Sequence, residues 1–308
     1  MKTVRKKILY GFFVKYVALA IPSLIKFVTL QFKSPKMAEN RIFPIVVIYK
    51  IQLADSTAYQ KFLSCLTLDA FMVYDNSPED FLQNMSLMPA NAVYVRDKEN
   101  GGLSVAYNRA AVYAREHGYD KLLLLDEDTA FPVEMFRQMQ ACSAAVCVPR
   151  ILLKNGSCFS PSCWRGGRVR GVDLQPGEHP LARYLLINSG LCVSLDAFFR
   201  AGGYNEKVRL DFADFQFVIR LRRVEQSFTL LDCEARQDFS NEKTCHAQLH
   251  ARFLKYLDGA RNLEECTLAE RLKIAWLVCL HTLALTKRTR RADYIRSFLS
   301  SFWTHGKY

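Results

Sequence analysis

The chain has 308 residues, of which 50% are hydrophobic and 23% charged, which is typical of a globular protein and excludes a disordered or low-complexity chain. The net charge of +12 is concentrated at the ends, because residues 1–36 contain eight Lys or Arg and no acid, and residues 271–308 contain eight and a single acid. A slightly acidic middle argues against nucleic-acid binding, and basic ends favour a membrane surface of anionic lipids.

Residues 1–40 are predicted to form a basic, apolar N-terminal extension. Lysines interrupt its apolar runs, which are therefore too short for a spanning helix of about 20 apolar residues. Lys15, Lys26 and Lys33 share one helical face, a pattern typical of a helix lying in the membrane interface. A poorly structured extension is equally compatible with this segment.

Short apolar strands alternate with helical segments in the next part of the chain, residues 41–265. Strands are predicted at 45–50, 71–75, 92–95 and 121–126, and helices at 55–68, from the turn at 100–102 to about 117, and at 132–141. This alternation predicts an α/β domain with a mostly parallel central sheet and helices on both faces. Ligands bind at the carboxyl ends of such strands, and two strands end in acids, at Asp75 and at Asp126-Glu127-Asp128.

The remaining chain is predicted to add a loop and further helices. Residues 154–183, rich in Gly, Ser, Pro and basic side chains, are predicted to form a long functional loop near the acidic strand ends, and an amphipathic helix to follow residue 211. Residues 266–308 are predicted to form amphipathic, basic C-terminal helices. Their apolar run, 274–285, fits an interfacial helix and a core helix equally well.

The ten cysteines include no CxxC pair and no His at ligand spacing. This spacing argues against a zinc site and indicates free thiols in a reducing cytoplasm. With the basic ends, it predicts a cytoplasmic protein that lies peripherally on the inner face of the cell membrane.

Asp126 and Asp128 are the candidate metal ligands. Residues two apart on an extended chain point the same way, so both carboxylates can address one cation. Carboxylates suit Mg²⁺ or Mn²⁺, which keep coordination positions for substrate phosphates. A solvent-exposed turn can have the same Asp-x-Asp sequence without binding a metal. The metal site is favoured here because the pair stands at the end of a buried strand and an earlier strand also ends in an acid.

Several segments occur in a characteristic order: VVIYK, VYDNSPED, NGGLSVAYNRA, LLLLDEDT, INSGLCVSL, GGYNE and DFADFQF. In this order and spacing the sequence resembles the inverting family-2 glycosyltransferases. The residues around DNS, NGG and LLLDED are similar to those of the rhamnosyltransferase-like branch of that family. The resemblance implies a GT-A fold over residues 41–265. It also implies transfer of a sugar, with inversion, from a nucleotide-diphosphate donor to a hydroxyl of a glycan or lipid-linked acceptor in cell-surface polysaccharide synthesis.

The resemblance further implies roles for individual residues. Donor contacts are implied for Asp75, Asn76, Asn100, Gly101, Gly102, Asn108 and Asp126, metal contacts for Asp126 and Asp128, and a place beside the sugar and acceptor for Ser189 and Gly190. Asp214 is implied to be the catalytic base, with Asp211 as the alternate. Purely structural roles fit the same residues: turn capping by Asp75, backbone freedom at the glycines, and a helix start with Asp211 as N-cap.

Two departures from the family pattern leave other functions open. Ala213 precedes Asp214 where relatives have a second acid, and Gln237 stands near the place of a metal- or diphosphate-binding His, with His246 and His250 further on. A nucleotide-sugar-binding protein without catalysis is therefore the alternative. A nucleotidyltransferase is less favoured, because no Gly-rich phosphate loop follows the first strand.

Overall fold

The computed structural model describes residues 39–237 and 246–303, and its centre is a ten-stranded sheet. The predicted N-terminal extension lies outside these ranges except for its last two residues. The strands are β1 Ile42–Ile48, β2 Phe71–Asp75, β3 Ala92–Arg96, β4 Lys121–Asp126, β5 Thr129–Ala130, β6 Val146–Leu153, β7 Cys158–Ser160, β8 Ser162–Arg165, β9 Arg168–Gly171, β10 Gly177–Pro180, β11 Cys192–Ser194 and β12 Ser227–Gln237. The helices are α1 Thr57–Lys61, α2 Gly102–Glu116, α3 Glu134–Ala141, α4 Leu195–Arg200, α5 Ala213–Leu221, α6 His246–Arg261, α7 Leu268–Thr289 and α8 Asp293–Trp303.

The main strand order is β10-β12-β6-β11-β4-β1-β2-β3. β1 pairs in parallel with β4 on one side and β2 on the other, and β12 pairs in parallel with β6. β11 runs antiparallel between β4 and β6. The predicted α/β architecture with a mostly parallel sheet and C-terminal helices is confirmed.

β1 is the buried centre of the sheet, and its side chains alternate between two hydrophobic clusters. Phe43 and Ile45 pack into the cluster on one face, whereas Val46 and Ile48 pack into the cluster on the other. This is the two-residue period of an extended chain, and it explains why a strand covered on both faces is apolar throughout.

The C-terminal helices share the first of these clusters. Phe253 of α6, Val278 and Leu285 of α7, and Tyr294 of α8 are buried with Phe217 of α5. No helix within 39–237 and 246–303 combines the length and apolarity needed to cross a membrane.

Two predicted elements differ from the structure. The helix predicted at 55–68 is only the short α1, flanked by single 3₁₀ turns at Leu53–Asp55 and Leu63–Cys65. The backbone turns at Phe62, which allows Phe62 and Leu63 to be buried together.

The predicted loop at 154–183 contains the four short strands β7 to β10. β8 and β9 form a separate hairpin, with Gly166 and Gly167 at its turn, both in the left-handed region at φ 57° and 74°. Adjacent glycines of this kind are the signal of a tight hairpin turn as well as of a loop.

Candidate active site

Two acidic strand ends lie on either side of the end of β1. Asp126 of β4 is in register with Val47, and Asp75 of β2 is in register with Ile48. Both acids therefore occur at one rim of the sheet, as expected for parallel strands, and this rim is the candidate site.

Asp75 is fully buried, and both of its carboxylate oxygens are bonded within the protein. The backbone N–H of Ser77 donates to Oδ1 at 2.9 Å, and the hydroxyl of Tyr94 donates to Oδ2 at 2.9 Å. Burial, followed by this bond to Asp75, raises the pKa of Tyr94 to about 12. Asn76 is also buried, and its side-chain oxygen has no hydrogen-bond partner among the described residues. Asp75 thus holds the turn that presents an unsatisfied acceptor at Asn76.

A further buried acid, Asp97, shapes the turn before α2 and was not among the predicted site residues. It accepts hydrogen bonds from the hydroxyl of Tyr74 at 2.8 Å and from the backbone N–H of Gly101 at 3.0 Å. Burial alone would raise its pKa, but these bonds and the nearby charge of Arg109 outweigh burial and lower it. An Asp four residues before a Gly is the kind of turn signal that could have identified it.

The glycine turn at 100–102 is shaped by close backbone packing. Asn100 and Gly102 have left-handed backbones, with φ 52° and 86°. The N–H of Leu103 donates to the carbonyl of Arg209 at 2.7 Å, and a Cβ on Gly102 would overlap that carbonyl. The turn therefore joins the start of α2 to the segment that leads into α5.

We expect Gly102→Ala to destabilise the protein by more than Gly202→Ala. Both glycines have a similar left-handed φ, 86° and 81°, which costs a non-glycine residue on the order of 1–3 kcal/mol. A Cβ on Gly202 meets no atom within 4 Å, so the difference isolates the overlap with Arg209. Urea unfolding of both variants measures it, and equal losses of stability would contradict the close approach.

Asp126, Glu127 and Asp128 follow the buried part of β4, and the side chain of Gln237 at the end of β12 lies between two of them. Its Nε2 is 3.3 Å from Asp126 Oδ2 and 3.4 Å from Asp128 Oδ1. Burial, and then the negative charge of Asp128, raises the pKa of Asp126 to about 7. Gln237 Oε1 is buried and has no partner within the described ranges.

Glu127 points toward the segment after β1. Its Oε2 accepts from the N–H of Tyr49 at 2.8 Å, and its carbonyl accepts from the Ser56 hydroxyl at 2.9 Å. Burial is the main reason that its pKa is raised to about 7. Glu127 fastens the 49–56 segment to the acidic rim, a role that the sequence did not indicate.

Asp214 lies in the first turn of α5 and is half-buried. Burial raises its pKa to about 6, against the opposing effect of the N–H of Phe215, which donates to Oδ1 at 2.7 Å. The charge of Asp214 also contributes to the raised pKa of Asp126. The negative charge of Asp214 therefore acts on Asp126, although 88 positions separate the two residues in the sequence.

Asp211, the alternate base, is held in an ion pair and is not the N-cap that the sequence predicted. Arg252 of α6 donates to both of its oxygens, from Nε at 3.2 Å and from Nη2 at 3.0 Å. The N-cap is Phe212, with a left-handed backbone at φ 68° and no capping side chain. The reason is that Asp211 turns toward α6, where a glycine, Gly259, lets the helix approach the backbone of Asp211.

Ser189 and Gly190 lie in the turn before β11. Ser189 is buried, with its hydroxyl 2.9 Å from that of Thr129, the residue that follows Asp128. Gly190 has φ 75°, and its N–H donates to the carbonyl of Leu124 at 2.9 Å. Ser189 and Gly190 are therefore part of the acidic rim.

Asn108 is occupied by the turn that follows α4. Its Nδ2 donates to the carbonyl of Tyr204 at 3.0 Å and to Glu206 Oε1 at 2.9 Å, and its Oδ1 accepts from the N–H of Tyr204 at 2.8 Å. These bonds occupy both polar atoms of the Asn108 side chain within the protein, and a donor contact for Asn108 stays a prediction.

The two histidines near the expected third ligand join helices to each other. His246 Nε2 is 3.2 Å from Asp293 Oδ2, and His250 Nε2 is 3.1 Å from the hydroxyl of Ser297. Within 39–237 and 246–303, no group of three or more His, Cys, Asp or Glu side chains is arranged to hold a metal ion. Among the described residues, Gln237 is the side chain that lies beside both Asp126 and Asp128.

Comparison with known proteins agrees with this architecture. No protein-family model matches the sequence. The chain is 21% identical over 188 residues to a dTDP-rhamnosyl transferase, RfbF, of Shigella flexneri, an alignment that spans 59% of this chain and 63% of that protein. The fold is similar to the crystal structure of GalNAc-T7 with UDP, GalNAc and Mn²⁺, with a TM-score of 0.50 and 12% identity over 72% of this chain and 48% of the other. The chain thus spans less than two thirds of both proteins. The sequence relative and the structural neighbour agree with the resemblance of this sequence to glycosyltransferases of the GT-A fold, and the neighbour supports the fold.

Proposed function

We propose that the protein transfers a sugar, with inversion, from a nucleotide-diphosphate donor to a hydroxyl of a glycan or lipid-linked acceptor in the synthesis of cell-surface polysaccharide. The observation that carries the proposal is the acidic rim itself, where the amide of Gln237 lies between Asp126 and Asp128 at the end of β4. A base and a cluster of anionic ligands at one strand rim are what transfer from a diphosphate leaving group requires. The curated dTDP-rhamnosyl transferase supports the same class of reaction.

The donor's nucleoside is proposed to lie over the end of β2. The unpartnered oxygen of Asn76 supports this position, because a buried acceptor without a partner is costly and a ligand N–H can satisfy it. Asp75 holds the turn around Asn76, and the turn of Asn100, Gly101 and Gly102 lies beyond the neighbouring strand β3. In this proposal Asp75 and the glycine turn shape the nucleoside site.

The diphosphate is proposed to bind with Mg²⁺ or Mn²⁺ held by Asp126 and Asp128. The residues fit such an ion, because neighbouring carboxylates raise each other's cost of ionisation and a cation removes that cost. Gln237 adds a buried, unpartnered oxygen, and rotation of its amide exchanges the oxygen with the nitrogen that now faces the acids. A bound divalent ion supplies neutralisation of the charge that develops on the diphosphate.

Asp214 is proposed to take the proton from the acceptor hydroxyl. A carboxylate with its pKa raised to about 6 is still ionised at neutral pH and is a stronger base than an ordinary aspartate. Ser189 and Gly190 line the rim beside Asp126 and are proposed to face the transferred sugar. Attack from the side opposite the diphosphate inverts the anomeric centre.

A second candidate function is binding of a nucleotide sugar without transfer. Two residues favour it: Ala213, which leaves Asp214 without an acidic neighbour in sequence, and Gln237, whose neutral amide occupies the place expected for a His. Both functions share the donor site and differ only in turnover.

Donor binding and turnover can be measured separately. Thermal shifts with UDP-, dTDP- and GDP-sugars and Mn²⁺ should identify one preferred nucleotide, and release of that nucleoside diphosphate should then depend on an added glycan or lipid-linked acceptor. A stabilising donor that is never converted with any acceptor would favour the binding protein. No stabilisation by any nucleotide sugar would reject both functions.

A further inference from the structure

The C-terminal helix α7 has an apolar stripe that faces solvent. Four large side chains lie on this stripe, spaced by four, four and seven residues, so they share one face of the helix. Each is more than half exposed: Leu268 74%, Leu272 63%, Trp276 52% and Leu283 53%. The opposite side of the same helix carries Ile274, Val278 and Leu285 into the core. The helix is therefore apolar on two sides, and the side chains on its outer side remain largely exposed.

Trp276 is held so that its ring, rather than its polar group, is available. Its indole N–H donates to the carbonyl of Gly167 at 3.1 Å, in the turn of the β8–β9 hairpin. With that donor satisfied, half of the side chain still faces solvent. An exposed indole with no hydrogen-bonding need is suited to the boundary between water and an apolar phase.

The same contact brings a cluster of arginines beside the stripe. Arg165 and Arg168 flank the Gly166–Gly167 turn and are directly paired across the hairpin. Arg170 lies two residues further along β9, on the same face as Arg168. All three are exposed and form no salt bridge in the part of the chain that the structure describes. Like charges directly opposite each other destabilise a hairpin unless an anion is present.

The rest of the surround is basic as well. Lys273 borders the stripe with its Nζ 5.8 Å from the ring of Trp164, and Lys287 and Arg291 are exposed at the far end of the helix. The two acids within 268–303 are already bonded, Glu270 to Arg222 and Asp293 to His246. Neither of these two acids is therefore free to offset the positive charge around the stripe.

We infer that the α7 stripe and the β8–β9 arginines form a docking surface for a bilayer of anionic lipids. An apolar stripe with a Trp and a basic border matches the depth profile of a membrane surface, with acyl chains for the leucines and phosphates for the arginines. The inference deepens the acceptor side of the proposed function, since a lipid-linked acceptor has to be reached at such a surface. It assigns the contact to the outer side of α7 and adds the β8–β9 hairpin, which lies outside the two basic chain ends.

Flotation of the full chain with phosphatidylcholine vesicles, with and without phosphatidylglycerol, tests the surface without any donor. Binding should require the anionic lipid and weaken at high salt. Arg168→Glu with Arg170→Glu, and separately Leu272→Ser with Leu283→Ser, should each lower partitioning by about tenfold or more. Matched controls are Lys61→Glu with Arg137→Glu, and Leu254→Ser, at exposed positions on other helices.

Two outcomes would contradict the proposed docking surface. If the arginine variant and the leucine variant both bind vesicles like the unchanged protein, while deletion of residues 1–36 abolishes binding, the N-terminal segment attaches the protein to the membrane and the inference is wrong. If the leucine variants instead convert a dimer to a monomer at unchanged partitioning, the stripe is a contact between copies. The urea unfolding midpoint of each variant should be unchanged, which shows that lost vesicle binding does not result from unfolding. Turnover with a soluble acceptor is measured separately, so failure of the docking surface can be distinguished from failure of the proposed transferase.

Discussion

Asp214→Asn is expected to lower transfer by about 10²-fold or more while leaving donor binding nearly unchanged. The asparagine keeps the shape and can accept the hydrogen bond from Phe215, but it cannot take a proton. Because burial raises the pKa of Asp214 to about 6, the reaction of the unchanged enzyme should increase as pH rises through about 6 and then level off. The variant should lose this step, which initial rates across a pH series would show.

Stability provides an independent reading of the same carboxylate. The folded protein binds a proton at Asp214 more readily than the unfolded chain does, so ionisation of Asp214 costs stability; the cost grows as pH rises from 3.8, the ordinary pKa, to about 6 and is complete above that. Asp214→Asn removes that cost and should not lower the urea midpoint at neutral pH. Asp211→Asn is the matched comparison: it breaks the paired bonds to Arg252 and should cost about 1 kcal/mol or less, with turnover largely retained. If turnover is retained in Asp214→Asn but lost in Asp211→Asn, Asp211 is the base and Asp214 has the structural role.

Asp128→Ala is expected to remove the divalent dependence of donor binding. In the unchanged protein, Mn²⁺ should tighten nucleotide-sugar binding, and EDTA should reverse the effect. The variant lacks one of the two carboxylates proposed to hold the ion, and a single aspartate with an amide is a poor site for such a cation. Isothermal titration with donor, at matched Mn²⁺ and EDTA concentrations, measures this directly.

Asp232→Ala is the control for that substitution, since it removes an exposed negative charge elsewhere on β12. It should bind donor and Mn²⁺ like the unchanged protein. If Asp128→Ala binds the donor with unchanged affinity, with and without EDTA, the assignment of Asp128 as a metal ligand is wrong. The reaction would then need another group to neutralise the diphosphate. Gln237→Ala should weaken Mn²⁺ binding by less than Asp128→Ala, because a neutral ligand contributes less than a carboxylate.

The parts of the fold that depend on local patterns were predictable. β2 and β4 begin and end where their apolar runs do, at Phe71–Asp75 and Lys121–Asp126, because a strand buried on both faces leaves an uninterrupted hydrophobic segment. Their acidic ends followed from the parallel arrangement of the sheet. The short helix at 57–61 did not follow, since the burial of Phe62 by distant strands overrides its local helical pattern.

The parts of the site that depend on contacts between distant segments were not predictable. The bond from Gln237 to Asp126 joins residues 111 positions apart, and the pair of Arg252 with Asp211 joins residues 41 apart. No periodicity encodes which arginine meets which acid. Asp211 therefore looked like a helix cap, whereas its actual partner lies on a helix whose close approach depends on a glycine.

The shared core of the C-terminal helices links the proposed docking surface to the folding of the protein. Val278 and Tyr294 are packed in the same interior as Phe217 on the helix that carries Asp214. A truncation before α7 would thus uncover the support of the proposed base, and its loss of vesicle binding would be accompanied by unfolding. Substitution of the outward leucines alone is expected to change the proposed affinity for lipid, because the inward side of α7 still keeps the protein folded.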